Sequence, residues 1–257
     1  MKALLVLIMA ALVAVLAVGC ISNLKIVTEP KLGVYSYSHK DKYEGAPVRT
    51  IPIWIDKNFG AADKVEIDKA VDAWNFAMNG YVVLKVVDTN FDMEVEKIVE
   101  QVTKGGWLFM KIESTNKLVP AQDEKGYWTI GFCEQVGGHH MYLVRDRLQN
   151  QDVFGVTLHE IGHLMGSPHT GQRLMYPHYT RARFQCIDYD TQVKVAKFFD
   201  VPLSGLNYCV DDQPAEAPVN PEGGTAGGNC PEHSASMESK FSDQDIFMQK
   251  IRERWNL

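Results

Sequence analysis

The chain has 257 residues, of which 46% are hydrophobic and 23% charged, so it can bury a substantial core and is not a disordered polymer. The formal net charge of -6 leaves no broad basic surface of the kind that follows phosphates. Nucleic acid is therefore excluded as an expected partner.

The first segment is typical of an export signal. Residues 1–20 carry one lysine and then an apolar run that ends in Ala17-Val18-Gly19-Cys20. This ending resembles a bacterial lipobox, which implies removal of residues 1–19 and a membrane-anchoring lipid on Cys20 at the bacterial cell envelope. The alternatives are a secreted protein and a single-span anchor, because the run is nearly long enough to cross a bilayer.

The middle of the chain alternates between strand and helix patterns. Residues 50–56 predict a strand, and a helix follows Gly60 to about Met78, with its apolar residues on one face and Gly80 just past its end. A second helix is predicted within residues 93–106, and further strands at 81–88, 107–114, 126–134 and 140–148. We expect an α+β (α/β layered) fold with a twisted, mostly parallel sheet of about five strands.

The next element concentrates metal-binding residue types on a predicted helix over residues 152–165. His159 and His163 are four residues apart, so both imidazoles leave one helix face and can bind one ion. Glu160 lies beside them, where its carboxylate can reach a water on the metal. Gly166 can take a positive φ that ends the helix and lets His169 return as a third ligand.

The joint spacing decides between two interpretations of these histidines. A single histidine on an apolar helix face is more often a hydrogen-bonded core residue than a ligand. Five fixed residue types at fixed spacing, on a predicted helix followed by a turn, favour a metal site instead. Three neutral nitrogens leave a fourth position open, which is typical of a catalytic zinc rather than a structural one.

The stretch "HEIGHLMGSPH", residues 159–169, with "RLMYPHY" at 173–179, resembles the metzincin zinc peptidases and within them the matrixin branch. The resemblance implies one catalytic Zn²⁺ on His159, His163 and His169, and a metzincin-like fold with an active-site helix and a C-terminal helix. It also implies an apolar floor from Met175 beneath the metal. Pro177 to Tyr179 would wall the pocket for the side chain after the cut bond.

Other histidines of the chain have no such pattern. Matrixins commonly carry a block of His and Asp residues for a second zinc and calcium, but only "GGHH" at 137–140 is present, so calcium has no visible motif. His139 and His140 are adjacent and would point to opposite faces of a strand, and we expect them to be turn and surface residues. His178 either lines the pocket or faces solvent.

Export makes disulfides possible among the cysteines that remain after Cys20. Cys133, Cys186, Cys209 and Cys230 are an even number in an oxidising compartment, and they allow two disulfides with three possible pairings. We favour Cys186 with Cys209, which would bracket a predicted helix. The alternative is buried free thiols.

The domain organisation follows from these features. Residues 1–19 are the predicted signal, 20–44 a tether and 45–210 the zinc metallopeptidase domain. Residues 211–240 are rich in Pro, Gly and Ala and predict a flexible linker. Residues 241–257 predict a short helix with a rough apolar stripe, which docks on the core, binds a partner or frays.

The resemblance implies a zinc-dependent endopeptidase that hydrolyses peptide bonds in extended protein or peptide substrates. Glu160 would act as general base on a zinc-activated water. In the family an extended peptide lies along an edge strand, which here corresponds to "YWTIGFC" at 127–133. The alternatives are a non-catalytic zinc-containing peptide-binding protein on the same fold, and a hydrolase of small molecules or amides. The sequence gives no indication of the oligomeric state.

Overall fold

The computed structural model describes residues 36–38, 40–123, 126–148, 150–170, 173–179, 185–210 and 225–226. All of them belong to one unit, Leu32–Leu257. The predicted signal, Cys20, Cys230 and the predicted C-terminal helix lie outside these residues. None of the described helices is both long and apolar enough to cross a bilayer.

The secondary structure follows the predicted order. The strands are β1 (Ser36–Tyr37), β2 (Arg49–Asp56), β3 (Val82–Phe91), β4 (Trp107–Ile112), β5 (Thr129–Cys133), β6 (His140–Val144), β7 (Cys209–Val210) and β8 (Thr225–Ala226). The helices are α1 (Ala61–Met78), α2 (Val95–Thr103), α3 (Asn150–Leu164) and α4 (Tyr189–Phe199). Short 3-10 turns lie at Arg145–Arg147, Arg173–Met175 and Leu203–Gly205.

The main sheet confirms the predicted fold class. Its strand order is β3-β2-β4-β6-β5-β8, and every neighbouring pair is parallel except β5 with β6. The five longer strands are those expected from the sequence, and the two-residue β8 adds a sixth at the edge of β5. A separate two-stranded sheet joins β1 to β7.

Alternation along the strands separates two apolar layers. In β4, Trp107 and Phe109 join the large core that contains α1 and α3, whereas Leu108 and Met110 join a smaller core on the opposite face. Ile98 of α2 packs in that smaller core. The sheet therefore lies between helices, because successive side chains of a buried strand point to opposite faces.

The contact between α1 and α3 fixes the helix that carries the histidines. Trp74 of α1 is fully buried, and its indole Nε1 donates a 2.9 Å hydrogen bond to the carbonyl oxygen of Leu158 in α3. A buried indole N–H needs such an acceptor, so the bond orients α1 against α3 at the residue before His159. The predicted end of α1 is confirmed, since Asn79 and Gly80 both have positive φ values.

The favoured disulfide is confirmed. Cys186 is bonded to Cys209, and the 23-residue separation between them encloses α4. Cys133 is a buried thiol at the end of β5. Because Cys230 lies outside the described residues, the second predicted disulfide stays a prediction.

One sequence expectation is wrong. His140 is not a surface residue: it is 3% exposed at the start of β6, where its Nδ1 lies 3.5 Å from Glu134 Oε2. The reason is the position of β6 between β4 and β5, where all five of its residues are buried. Glu134, which also accepts from the Tyr142 hydroxyl, gives the buried imidazole a polar partner. His139 is half-buried, with its Nδ1 3.2 Å from the carbonyl oxygen of Gly106.

The described part of the predicted linker is β8. It pairs in parallel with β5, with Thr225 opposite Thr129 and Ala226 opposite Gly131. The outer edge of β5, which the resemblance assigns to substrate, therefore carries a segment of the chain itself.

Candidate metal centre

Helix α3 brings His159, Glu160 and His163 into the interior. Its apolar residues are packed in the core against α1 and the sheet, and the side chains of all three polar residues are fully buried. Polar groups placed this deep are costly unless they are hydrogen-bonded or bind an ion. Carbonyl groups of the following loops contact the two histidines, and Cys133 of β5 contacts Glu160.

The chain reverses directly after α3. Gly166 has a φ of +88°, as the sequence predicted, and its N–H bonds to the carbonyl oxygen of His163 at 3.0 Å. The N–H of Ser167 bonds to the carbonyl of Gly162 at 2.9 Å. This glycine-terminated end satisfies the last carbonyls of the helix and sends the chain back toward His163. His169 then lies beside the two helical histidines.

The three histidines form one cluster. One ligand atom from each of His159, His163 and His169 lies within 4.8 Å of the others. It is the one group of this kind among the described residues, and neither His139 nor His140 belongs to it.

Main-chain carbonyls select the ring nitrogen that faces the centre. Nδ1 of His159 lies 2.5 Å from the carbonyl oxygen of Leu174, and Nδ1 of His163 lies 2.8 Å from that of Ser167. A carbonyl oxygen only accepts, so each Nδ1 carries the hydrogen and each Nε2 presents its lone pair in the neutral ring. Carbonyl partners of this kind orient imidazole ligands at metal sites.

The spacing of the nitrogens fits a zinc ion. Nε2 of His163 and Nε2 of His169 are 3.1 Å apart. Two nitrogens at about 2.05 Å from a tetrahedral zinc are separated by about 3.3 Å. A proton can bridge one such pair, whereas a metal ion serves all three histidines at once. The residues present therefore fit zinc.

The cluster is held in the uncharged form that metal binding requires. Burial, followed by the proximity of His169, lowers the pKa of His163 to about 3. Burial, followed by the proximity of His178, lowers the pKa of His169 to about 4. Burial also holds the pKa of His159 well below its ordinary value. All three rings are neutral near pH 7, so no proton has to leave before an ion enters.

Met175 packs against α3, and its implied place beneath the metal stays a prediction. It is fully buried, and a Cβ added at Gly162 would come within 2.5 Å of its sulfur. Gly162, between Ile161 and His163, is therefore the residue that admits Met175 against α3. The Met175 carbonyl accepts a 2.8 Å hydrogen bond from the N–H of Thr170, the residue directly after His169.

Asp188 holds the other side of this loop, a role that the sequence did not reveal. Its Oδ2 accepts from the Leu174 N–H at 3.2 Å, while Thr191 donates its N–H and its hydroxyl to the same carboxylate. Asp188 is thus the N-cap of α4, and it also holds the N–H of Leu174, the residue whose carbonyl orients His159. An Asp directly before a helix is a common N-cap and could have been predicted from the sequence. The bond to Leu174 joins two separate segments of the chain, so the sequence gives no signal for it.

The predicted pocket residues follow Met175 in the chain. Pro177 and Tyr179 are half-buried, and the Tyr179 hydroxyl donates to Asp152 Oδ1 at 2.6 Å. The ring of His178 packs 4.3 Å from the ring of Tyr127 and 5.4 Å from that of Tyr176, measured between centroids. His178 therefore packs against two aromatic rings, and whether it lines a substrate pocket stays a prediction.

Comparison with known proteins adds little to this geometry. No protein-family model and no curated protein matches the chain. The solved structures that match include metalloproteinase-II from Bacteroides fragilis, at 17% sequence identity and a TM-score of 0.38. The match covers 62% of this chain and 56% of that one. A superposition this loose does not establish a shared fold.

Removing the contact between Asp188 and Leu174 should lower the affinity for zinc, although neither residue is a proposed ligand. Asp188→Ala removes the acceptor of the Leu174 N–H and so loosens the backbone that carries the Leu174 carbonyl. His159 is then oriented less well, and zinc affinity should fall about 10- to 100-fold. Competition with a chromophoric chelator measures it. Asp190→Ala, which removes an exposed carboxylate from the same helix turn, is the control. Equal zinc affinity in the two variants would contradict the role of Asp188.

Proposed function

We propose that the protein is a zinc-dependent endopeptidase of the metzincin type, similar to the matrixins, that hydrolyses peptide bonds in extended protein substrates. One observation carries the proposal. Three neutral histidines converge on one point, and a fully buried glutamate, Glu160, directly follows the first of them on the same helix. A metal-binding protein without catalysis needs the histidines but has no need of Glu160.

The residues have separate roles in this proposal. His159, His163 and His169 hold the ion, which when bound polarises the scissile carbonyl and makes water a better nucleophile near neutral pH. Glu160 accepts the proton of the attacking water and later donates it to the leaving amine. Because each proton taken by Glu160 is returned to the product, the base is regenerated and no covalent acyl-enzyme is needed.

The substrate is proposed to lie along the outer edge of β5. Gly131 of this strand is so close to Glu160 that an added Cβ would be 3.0 Å from its carboxylate. An extended peptide paired with β5 would therefore pass the catalytic centre, and main-chain pairing tolerates many sequences. Since β8 occupies this edge, a substrate has to displace it.

Selectivity is assigned to the loop after Met175. The resemblance to matrixins makes Pro177 to Tyr179 the wall of the pocket for the residue after the cut bond. The hydrogen bond between Tyr179 and Asp152 supports this assignment, because it holds the tyrosine ring against the start of α3. Gly166 contributes by setting the position of His169.

The proposal predicts that Glu160→Gln removes catalysis and keeps the metal. The amide has the shape of the carboxylate but is not a base, so cleavage should slow about 10²- to 10⁴-fold while zinc content and fold stay unchanged. A pool of unstructured proteins is digested with and without a chelator, and the new termini are identified by mass spectrometry. Glu100→Gln, the same change at an exposed residue of α2, is the control.

The outcomes separate the two main candidate functions. Cuts made by wild type and by Glu100→Gln, and lost both in Glu160→Gln and on chelation, support a zinc peptidase. Equal cleavage by Glu160→Gln and wild type would remove the role of Glu160. A zinc-loaded wild type that binds peptides but cuts none would favour the peptide-binding protein.

We also propose that the protein is exported and anchored to the membrane by a lipid on Cys20. Residues 1–20 carry the support, as an apolar run that ends in small residues and a cysteine. Cys20→Ser should abolish acylation and move the protein from the membrane fraction to another fraction or leave it unprocessed. Unchanged processing and membrane partition in this variant would contradict the lipid anchor.

A further inference from the structure

Strand β5 touches the proposed catalytic base directly. The sulfur of Cys133, the last residue of β5, lies 3.3 Å from Glu160 Oε2 and 3.3 Å from the main-chain carbonyl oxygen of Glu160. Both residues are buried, with 2% of Cys133 and none of Glu160 exposed. The single S–H hydrogen can therefore be donated to either of two oxygens of Glu160, the carboxylate Oε2 or the main-chain carbonyl.

A second residue of the same strand makes room for the carboxylate. Gly131 precedes Cys133 by two positions, so both face the same side of the sheet. A Cβ at Gly131 would lie 3.0 Å from Glu160 Oε1 and 2.6 Å from Cγ1 of Val156. A larger side chain at this position would therefore push the Glu160 carboxylate out of its place.

We propose that Cys133 is a positioning residue, which holds the Glu160 carboxylate on the histidine side of β5 through its S–H group, in the space left by Gly131. The proposal rests on the proposed peptidase function. A glutamate side chain has three rotatable bonds, and a general base acts only within hydrogen-bond reach of the proton that it removes. Displacement of a catalytic group by about 1 Å can cost about a hundredfold in rate.

The position of β5 strengthens this role. The strand is paired on its inner edge with β6, where Cys133 is opposite Met141 and Gly131 is opposite Leu143. The sheet therefore fixes the position of Cys133, whereas α3 fixes the backbone of Glu160. The S–H contact joins the proposed catalytic carboxylate to the strand along which we place the substrate. The same strand would therefore position both the base and the substrate.

A pure packing role predicts different behaviour. As a small buried apolar residue, Cys133 would tolerate alanine at least as well as serine, because serine buries a hydroxyl. Alanine and serine have almost the same volume, and they differ here in one respect: serine keeps a donor. Which of the two variants keeps the higher kcat therefore distinguishes a positioning role from a packing role.

The test compares Cys133→Ala with Cys133→Ser in the full chain loaded with zinc. We expect kcat to fall about 10- to 100-fold in Cys133→Ala with KM and zinc content unchanged, and to recover most of this loss in Cys133→Ser. In the Glu160→Gln background, Cys133→Ala should have no further effect on the rate. Equal kcat in the two Cys133 variants, or a serine variant slower than the alanine variant, would overturn the proposal.

A spectroscopic measurement on the same proteins does not depend on activity. The S–H stretching band of Cys133, identified by its absence in Cys133→Ser, should lie at lower frequency than that of a thiol without a charged acceptor. It should move up in Glu160→Gln, because an amide is a weaker acceptor than a carboxylate. A band that does not respond to Glu160→Gln would overturn the proposal. If wild type cuts no faster than Glu160→Gln, the peptidase function fails, and the band still decides whether the thiol holds the carboxylate.

Discussion

The convergence of three uncharged imidazoles on one buried point is the constraint on which the rest of the site depends. Burial keeps the rings neutral, and carbonyl acceptors on Nδ1 of His159 and His163 turn Nε2 inward. Each carbonyl in turn has to be fixed, because a misplaced carbonyl would rotate its ring. Much of the surrounding structure therefore serves to hold two main-chain carbonyls in place, those of Ser167 and Leu174.

These supports come from distant parts of the chain. The positive φ of Gly166 places Ser167, whereas Asp188 at the start of α4 holds Leu174, and the Cys186–Cys209 disulfide closes the segment that contains α4. Trp74 of α1 fixes α3 through Leu158. Loss of any one of these contacts should therefore weaken metal binding at the proposed site although no ligand is changed. Residues that orient metal ligands generally have this effect.

Sequence periodicity predicted what is local. The five long strands, helices α1 to α3, the turn at Gly166 and the histidine cluster all follow from patterns within about eleven residues. Contacts between distant segments had no such signal. The thiol of Cys133 against Glu160, the carboxylate of Asp188 on Leu174, the burial of His140 and the pairing of β8 with β5 depend on tertiary packing. For Cys133 the sequence predicted either a disulfide or a buried free thiol, and it gave no indication of the contact with Glu160.

X-ray absorption at the zinc edge of the metal-loaded protein tests the convergence of the three histidines on one ion. We expect a shell of nitrogen and oxygen at about 2.0–2.1 Å with the outer scattering of three imidazoles, and no sulfur. Sulfur at about 2.3 Å would make Cys133 a ligand instead of a partner of Glu160. Fewer than three imidazoles would contradict the convergence of His159, His163 and His169 on a single ion.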